Sequence, residues 1–284
     1  MQSEIPILDL GDFLAGKPGA LAAIAKELQY AAENVGFFFI QNHGVPQDLV
    51  DATFDASRRF HALPDAEKMA LKANQHNIGY MGHGASVSRA SQVYEGERKT
   101  NLVAAFFLKR DLPADHPDIV NNKRFRGANQ WPGNLDGFRE TTNTYMDALE
   151  KLGKSMLPIY ARALDLDDDY FAEGFQEPQY TLRLSHYPPA EAEDNQFGLA
   201  PHTDSSFLTL LAQNKVEGLQ VRRMDGTWID APVLPGTFLV NSGDMLRRWS
   251  NHRFLSTPHR AVASAPERDR YAIPFFFDAH ADYV

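Results

Sequence analysis

The apolar and polar positions divide the chain into a mainly helical first part and a β-rich last part. Residues 20–34 and 134–164 place apolar side chains three and four positions apart, which predicts two amphipathic helices. A third helix is predicted over residues 46–63, because a proline favours the first helical position. Two short strands, at residues 5–8 and 36–41, are expected among these helices.

The last third of the chain alternates short β-type runs with Gly, Pro and Asn turns, and this spacing predicts an antiparallel sandwich or barrel. Residues 76–99 show weak periodicity and predict a long loop or an irregular hairpin. We therefore expect one mixed α/β (α+β) domain over residues 1–284, with a helical and mixed region at 1–120, central helices at 121–175 and a β core at 176–284. The strands predicted in the core are residues 180–187, 207–212, 219–222, 228–230, 237–241, 261–263 and 271–277.

The composition narrows the classes of function. The 284-residue chain has a formal net charge of −9 and no long basic run, which argues against nucleic acid or an anionic membrane as the main partner. It has no cysteine, so disulfides, thiolate zinc sites, iron–sulfur clusters and cysteine nucleophiles are excluded. No signal peptide is predicted, and the longest apolar runs are too short to span a bilayer. We expect a cytoplasmic protein, for which a monomer is compatible with the sequence.

Two segments carry the residue types of a mononuclear metal site. His202 and Asp204 are two positions apart, and on a strand such residues point to the same face. His259, in a later β segment, can supply a third ligand. Two histidines and one carboxylate leave coordination positions open, which is typical of non-haem iron(II) oxygenases. Taken alone these segments are weak evidence, and a surface histidine and aspartate beside a turn is the alternative.

Short motifs in a fixed order strengthen the metal hypothesis. They lie at residues 36–45, 129–132, 183–189, 202–204, 208–211, 218–221, 241–244, 250–251, 259–260 and 270–273. In this order they are similar to the motifs of the isopenicillin N synthase-like family of iron(II)- and 2-oxoglutarate-dependent oxygenases, and the resemblance extends through almost the whole chain. It implies a double-stranded β-helix (jelly-roll) core with flanking N-terminal and central helices.

The resemblance also implies a reaction. His202, Asp204 and His259 would bind Fe(II), with 2-oxoglutarate as co-substrate and dioxygen as oxidant. The expected enzyme is a dioxygenase, an oxidoreductase that hydroxylates or desaturates a small molecule and releases succinate and carbon dioxide. Three alternatives stay open: an iron-dependent oxidase that does not use 2-oxoglutarate, a non-catalytic jelly-roll binding protein, and a zinc hydrolase on the same ligands.

Arg270 is the candidate for the distal carboxylate of 2-oxoglutarate, because a guanidinium can donate two parallel hydrogen bonds to a carboxylate. A solvent-facing arginine is the alternative. In the family an Arg-x-Ser motif has this role, and here Ala272 replaces the serine, so one hydrogen bond is lost or replaced. The resemblance also places Ser185 and Tyr187 near the co-substrate.

The substrate end of the site is assigned by family position. Phe276 and Asp278 are expected near the substrate, and Arg183 at the edge of the pocket. Arg89, in the predicted long loop, is a candidate for an acidic substrate, with a solvated surface position as the alternative. Members of the family usually continue beyond the strand that ends near Asp278, often with a C-terminal helix or tail over the active site, whereas this sequence ends at Val284.

Overall fold

The computed structural model describes residues 4–88, 93–265 and 267–283. Most of its strands belong to the second half of the chain, as the turn spacing predicts. The strands are β1 (Ile7–Asp9), β2 (Phe37–Gln41), β3 (Gly79–Met81), β4 (Ala104–Lys109), β5 (Gln179–Tyr187), β6 (Leu199–His202), β7 (Leu208–Gln213), β8 (Leu219–Arg222), β9 (Trp228–Asp230), β10 (Phe238–Ser242), β11 (His259–Ala261) and β12 (Arg270–Asp278).

The helices lie mainly before the β-rich part. None of those in the described ranges combines the length and apolar character that a membrane span needs. A 3₁₀ turn, Glu173–Phe175, precedes β5. The helices are α1 (Gly11–Leu14), α2 (Ala20–Asn34), α3 (Gln47–His61), α4 (Asp65–Ala70), α5 (Pro117–Val120), α6 (Phe138–Ala163) and α7 (Asp244–Trp249).

Two sheets build the jelly-roll core. The larger sheet has eight strands in the order β1-β2-β10-β7-β12-β5-β4-β3, and the smaller has four in the order β6-β11-β8-β9. All pairs are antiparallel except β1 with β2. Because neighbouring strands pair in a fixed register, residues paired across the large sheet share one face.

The two faces of the large sheet have different environments. On β12, the alternate residues Ile273, Phe275 and Phe277 are fully buried in the main hydrophobic core, together with apolar residues of α2, α3 and α6. Burial of each such side chain contributes roughly 1.5–3 kcal/mol. Arg270 and Phe276 lie on the opposite face and line a cavity that residues of the smaller sheet also line. One face of β12 therefore holds the helices, and the other holds the candidate site.

Several expectations need correction. The helix Ala20–Asn34 is present with the predicted bounds, whereas the long helix begins at Phe138 rather than at residue 134. Strand β4, Ala104–Lys109, is not among the predicted strands. Its first five residues are all apolar, and period-2 alternation does not mark a strand buried on both faces. Strands β1 to β4, all from the first 120 residues, join the large sheet.

Candidate active site

The three candidate metal ligands converge at one point between the sheets. His202 is the last residue of β6, His259 is the first residue of β11, and these two residues pair across the antiparallel strands. Nε2 of each histidine lies 3.6 Å from Asp204 Oδ1. One potential ligand atom from each side chain lies within 4.8 Å of the other two, which is the spacing of a set that can share a single ion.

A loop, and not a strand, orients the carboxylate. The prediction that His202 and Asp204 share a strand is wrong in this detail, because β6 ends at His202. The Asp204 carbonyl oxygen accepts a hydrogen bond from Asp244 N at 2.8 Å, which fixes the loop against the start of α7. Gly243 permits this close approach, since a Cβ at that position would overlap the Ser206 carbonyl oxygen. Backbone packing therefore determines where Asp204 points.

The Asp204 carboxylate has one oxygen held by the protein and one left for a ligand. Oδ2 accepts hydrogen bonds from Thr209 Oγ1 at 2.7 Å and from Asn241 Nδ2 at 2.9 Å. Burial alone would raise the pKa of Asp204, but its pKa is held below the ordinary value, and the hydrogen bonds from Asn241 and Thr209 favour the ionised form. The carboxylate is therefore ionised, and Oδ1 faces the histidines.

The two histidines are oriented by their other ring nitrogens. His202 Nδ1 lies 2.8 Å from the Ala200 carbonyl oxygen, and His259 Nδ1 lies 3.2 Å from the Thr257 carbonyl oxygen. Since a carbonyl only accepts, each Nδ1 carries the proton and each Nε2 presents a lone pair, as metal-ligating histidines do. Burial, with His259 as the second cause, lowers the pKa of His202 to about 4, so this ring is neutral.

Arg270 supplies a buried cation to the same cavity. It is 1% exposed, its guanidinium carbon lies 4.7 Å from the Tyr187 ring centroid, and Nη2 donates to Gln213 Oε1 at 3.3 Å. Nε and Nη1 have no hydrogen-bond partner among the described residues. The guanidinium is planar, has unpaired N–H donors and lies in the same cavity as the triad. This arrangement fits a dicarboxylate that chelates an ion with one end and pairs with the guanidinium at the other.

The missing serine of the Arg-x-Ser motif has a counterpart on the neighbouring strand. Ala272 lies in the wall of the cavity, and Ser185 is its direct partner across β5 and β12. Ser185 is fully buried, and its Oγ has no hydrogen-bond partner in the described part of the chain. Paired residues share one face, so a hydroxyl group is present next to the position where the family has one.

The cavity between the two sheets has a volume of about 50 Å³, and most of the predicted site residues line it. Asp278 is not in its wall: this carboxylate accepts a hydrogen bond from Phe207 N at 2.8 Å, and burial raises its pKa to about 6. Arg89 lies outside the described residues. The predicted residues that do line the cavity are Arg183, Tyr187, His202, Asp204, His259, Arg270, Ala272 and Phe276.

Several residues that shape the site were not predicted from the sequence. Thr209 and Asn241 hold the carboxylate of Asp204, and the Phe37 ring meets His259 edge-on at a centroid distance of 5.2 Å. All three lie within motifs that carry the resemblance, so the sequence marks these residues but does not reveal what they do. Gln213, the hydrogen-bond partner of Arg270, has no such signal. Its contribution depends on strand register, which the sequence does not reveal.

A jelly-roll core whose cavity holds two histidines and one carboxylate defines the class of mononuclear non-haem metal oxygenases. Residues 178–279 match the 2OG-Fe(II) oxygenase superfamily, and residues 5–134 match the N-terminal model described as non-haem dioxygenase in morphine synthesis. The chain belongs to the 2OG-Fe(II) oxygenase family, and it is an Fe(II)- and 2-oxoglutarate-dependent dioxygenase that uses dioxygen.

Individual relatives agree with this assignment. The chain is 34% identical over 286 residues to the 2-oxoglutarate-Fe(II) type oxidoreductase hxnY of Emericella nidulans, covering 98% of the chain and 80% of that protein. It is 34% identical over 287 residues to a 2-oxoglutarate-Fe(II) type oxidoreductase of Aspergillus fumigatus, covering 98% and 83%. A crystal structure of a Neurospora crassa protein in complex with alpha-KG and 5-formyluracil has a TM-score of 0.85 at 26% identity, covering 100% of this chain and 88% of that one. The predicted family, fold and reaction class are confirmed.

Proposed function

We propose that His202, Asp204 and His259 bind one Fe(II), and that Arg270 binds the distal carboxylate of 2-oxoglutarate during oxidation of a small molecule. The observation that carries the proposal is the orientation of the triad. Its ligand atoms lie within 4.8 Å of one another, while the protein occupies the remaining polar atom of each side chain. Bound Fe(II) would activate dioxygen, which takes two electrons from the decarboxylation of 2-oxoglutarate to succinate and carbon dioxide and two from oxidation of the substrate.

The residues of the chain orient the reactants and exclude water. Arg270 offers Nε and Nη1 to the co-substrate, and its position is set by Tyr187 and Gln213. Ser185 Oγ, beside Ala272, supports the same carboxylate in place of the family serine. Phe276 contributes an apolar wall, so a bound substrate is kept from bulk water.

The substrate is a small molecule that undergoes hydroxylation or desaturation. The solved complexes of the Neurospora crassa protein with thymine and with 5-formyluracil support a small-molecule substrate. We extend the proposal to one oxygenase domain over residues 1–284, with regions 1–120, 121–175 and 176–284. It acts in the cytoplasm without nucleic-acid or membrane partners, and a monomer is compatible with it. The net charge of −9 and the absence of cysteine support the location and the partners.

The test is oxygen-dependent succinate release, measured by mass spectrometry over a panel of small molecules. We expect succinate only when Fe(II), 2-oxoglutarate and dioxygen are all present, with a stimulating compound gaining one oxygen atom or losing two hydrogen atoms. Asp204→Ala should abolish succinate release, and the matched control Asp12→Ala, an exposed carboxylate on α1, should not. Turnover under argon would favour a hydrolase, and substrate oxidation without loss of 2-oxoglutarate would favour the oxidase alternative.

A further inference from the structure

Arg183 is a buried cation without a counter-ion in the described ranges. It is 9% exposed, and its Nε has no hydrogen-bond partner there. Its guanidinium carbon lies 5.5 Å from the centroid of the Phe107 ring, and among those residues the side chain has this ring contact and no ion pair. A buried N–H donor without a hydrogen-bond partner is unfavourable, so the Nε of Arg183 favours a ligand group that accepts from it.

The position of Arg183 places that ligand at the substrate end of the cavity. Arg183 lines the same cavity as the triad and Arg270. Arg270 pairs with Tyr187, four residues along β5 from Arg183, so the two arginines are separated by roughly 13 Å along the strand direction. The two arginines therefore enter the cavity from different points along the sheet, and we assign the two cations to different groups.

The acids near the cavity are already engaged. Asp204 uses Oδ2 for two hydrogen bonds and directs Oδ1 toward the histidines. Asp278 accepts a hydrogen bond from Phe207 N, and the cation whose charge acts on Asp278 is Lys109, not Arg183. Neither acid neutralises Arg183.

The charges of the proposed iron site also leave Arg183 uncompensated. Two positive charges from Fe(II) and one from Arg270 balance the single negative charge of Asp204 and the two of 2-oxoglutarate. The site is then neutral, and Arg183 adds one positive charge beside the apolar ring of Phe276. An anionic group on the substrate restores neutrality, and a carboxylate matches the planar fork of a guanidinium.

We propose that the substrate is a small carboxylic acid, whose carboxylate pairs with Arg183 and whose apolar body packs against Phe276. Arg183 is then the residue that determines specificity for an acid. This inference rests on the proposed function, because it takes the iron and the co-substrate to occupy the triad and Arg270.

The test is a binding titration in the absence of oxygen, on protein loaded with Fe(II) and 2-oxoglutarate. Benzoate, phenylacetate, 3-phenylpropanoate and hexanoate are each compared with their primary amides, and binding is followed by the change in the visible charge-transfer band. We expect at least one acid to bind tenfold or more tightly than its amide. Arg183→Met should weaken that acid at least tenfold, Arg183→Lys less, and 2-oxoglutarate affinity should change less than about twofold.

A matched control is Arg139→Met. Arg139 also stacks on an aromatic ring, with its guanidinium carbon 5.2 Å from the Trp131 ring centroid, but its side chain is 56% exposed and lies outside the cavity wall. This variant should bind the acid as the wild type does.

Two results would overturn the substrate assignment. Either each acid binds no more tightly than its amide, or folded Arg183→Met loses 2-oxoglutarate affinity as much as acid affinity, which would assign Arg183 to the co-substrate. Circular dichroism of each variant reports folding, and Arg183→Lys gives a second measurement if the Met variant does not fold. Failure of the wild type to form a band with 2-oxoglutarate would instead overturn the proposed function, and this inference with it.

Discussion

Two buried arginines face one cavity from neighbouring strands, and their surroundings differ. Arg270 is positioned by Gln213 and by the Tyr187 ring, so part of its hydrogen-bonding capacity is used before any ligand arrives. Arg183 stacks on the Phe107 ring and has no hydrogen-bond partner for its Nε among the described residues. The difference fits the proposed roles, in which the protein itself positions Arg270 for the co-substrate, whereas Arg183 gains its partner from the substrate.

The comparison is tested most strongly by removing the pre-positioned cation. Arg270→Met should weaken 2-oxoglutarate binding about 30-fold or more, because truncation of one partner of a buried charge pair costs about 2–5 kcal/mol. Arg183→Met should leave that affinity nearly unchanged. Anaerobic titration of the charge-transfer band measures both, with Arg270→Lys, which keeps the charge but loses the planar fork, as the intermediate control. Equal losses at both positions would remove the distinction between them.

The buried acid Asp278, which lies outside the cavity wall, gives a pH-dependent test. Burial raises the pKa of Asp278 to about 6, above its ordinary 3.8, so the folded state binds this proton more tightly than the unfolded state. The stability that the protonated acid contributes is present below about pH 4 and is lost as pH rises through about 6.

The measurement for this acid is denaturant unfolding of wild type and Asp278→Asn between pH 4 and pH 7. Over this range the wild type should lose about 2–3 kcal/mol of unfolding free energy relative to the variant. A difference that does not change with pH would show that Asp278 is ionised throughout, and it would then be a candidate counter-charge for Arg183.

The unpartnered cation should also destabilise the protein before ligands bind. In the metal-free protein, Arg183→Met should raise the free energy of unfolding by about 1–2 kcal/mol, because it removes a buried charge without a partner. Arg270→Met should give a smaller gain, since it also removes the hydrogen bond to Gln213. Chemical denaturation of the two variants under identical conditions shows which of them gains more unfolding free energy. A destabilised Arg183→Met would mean that the arginine is already satisfied.

The smallest effect concerns the hydroxyl beside Ala272. Ser185→Ala should weaken 2-oxoglutarate binding by about 0.5–1.5 kcal/mol, the net value of one hydrogen bond. Adding Ala272→Ser in the same protein should restore the affinity, because it returns a hydroxyl to the paired position. Titration of the single and double variants with 2-oxoglutarate measures the loss and the recovery of affinity. No loss in Ser185→Ala would show that its hydroxyl does not reach the co-substrate.

Much of the fold and of the site could be predicted from local signals. The apolar spacing of Ala20–Asn34 identifies α2, and the alternation around Arg270 identifies β12 with its buried and cavity-facing sides. His202, Asp204 and His259 could be proposed as ligands because their residue types match a known kind of metal site. These features depend on residues close in sequence or on a recurring motif.

The features of the fold and of the site that could not be predicted depend on contacts between segments far apart in the chain. The position of Asp204 beyond its strand follows from the close approach of Gly243, which lies far along the chain. The opposition of Ser185 and Ala272 requires the register of β5 with β12. The unpartnered state of Arg183 is visible only when all surrounding side chains are in place, so residues 183–189 alone do not reveal it.

The triad and Arg270 are expected to form one iron and 2-oxoglutarate site, and every other prediction depends on this claim. The direct measurement is an anaerobic titration of the wild-type protein with Fe(II) and then with 2-oxoglutarate, followed by visible absorbance, with Asp204→Ala in parallel. We predict one Fe(II) per chain and a weak charge-transfer band that saturates at one 2-oxoglutarate per iron, both lost in Asp204→Ala. Iron that binds without producing the band, or that binds Asp204→Ala as tightly as the wild type, would contradict the claim.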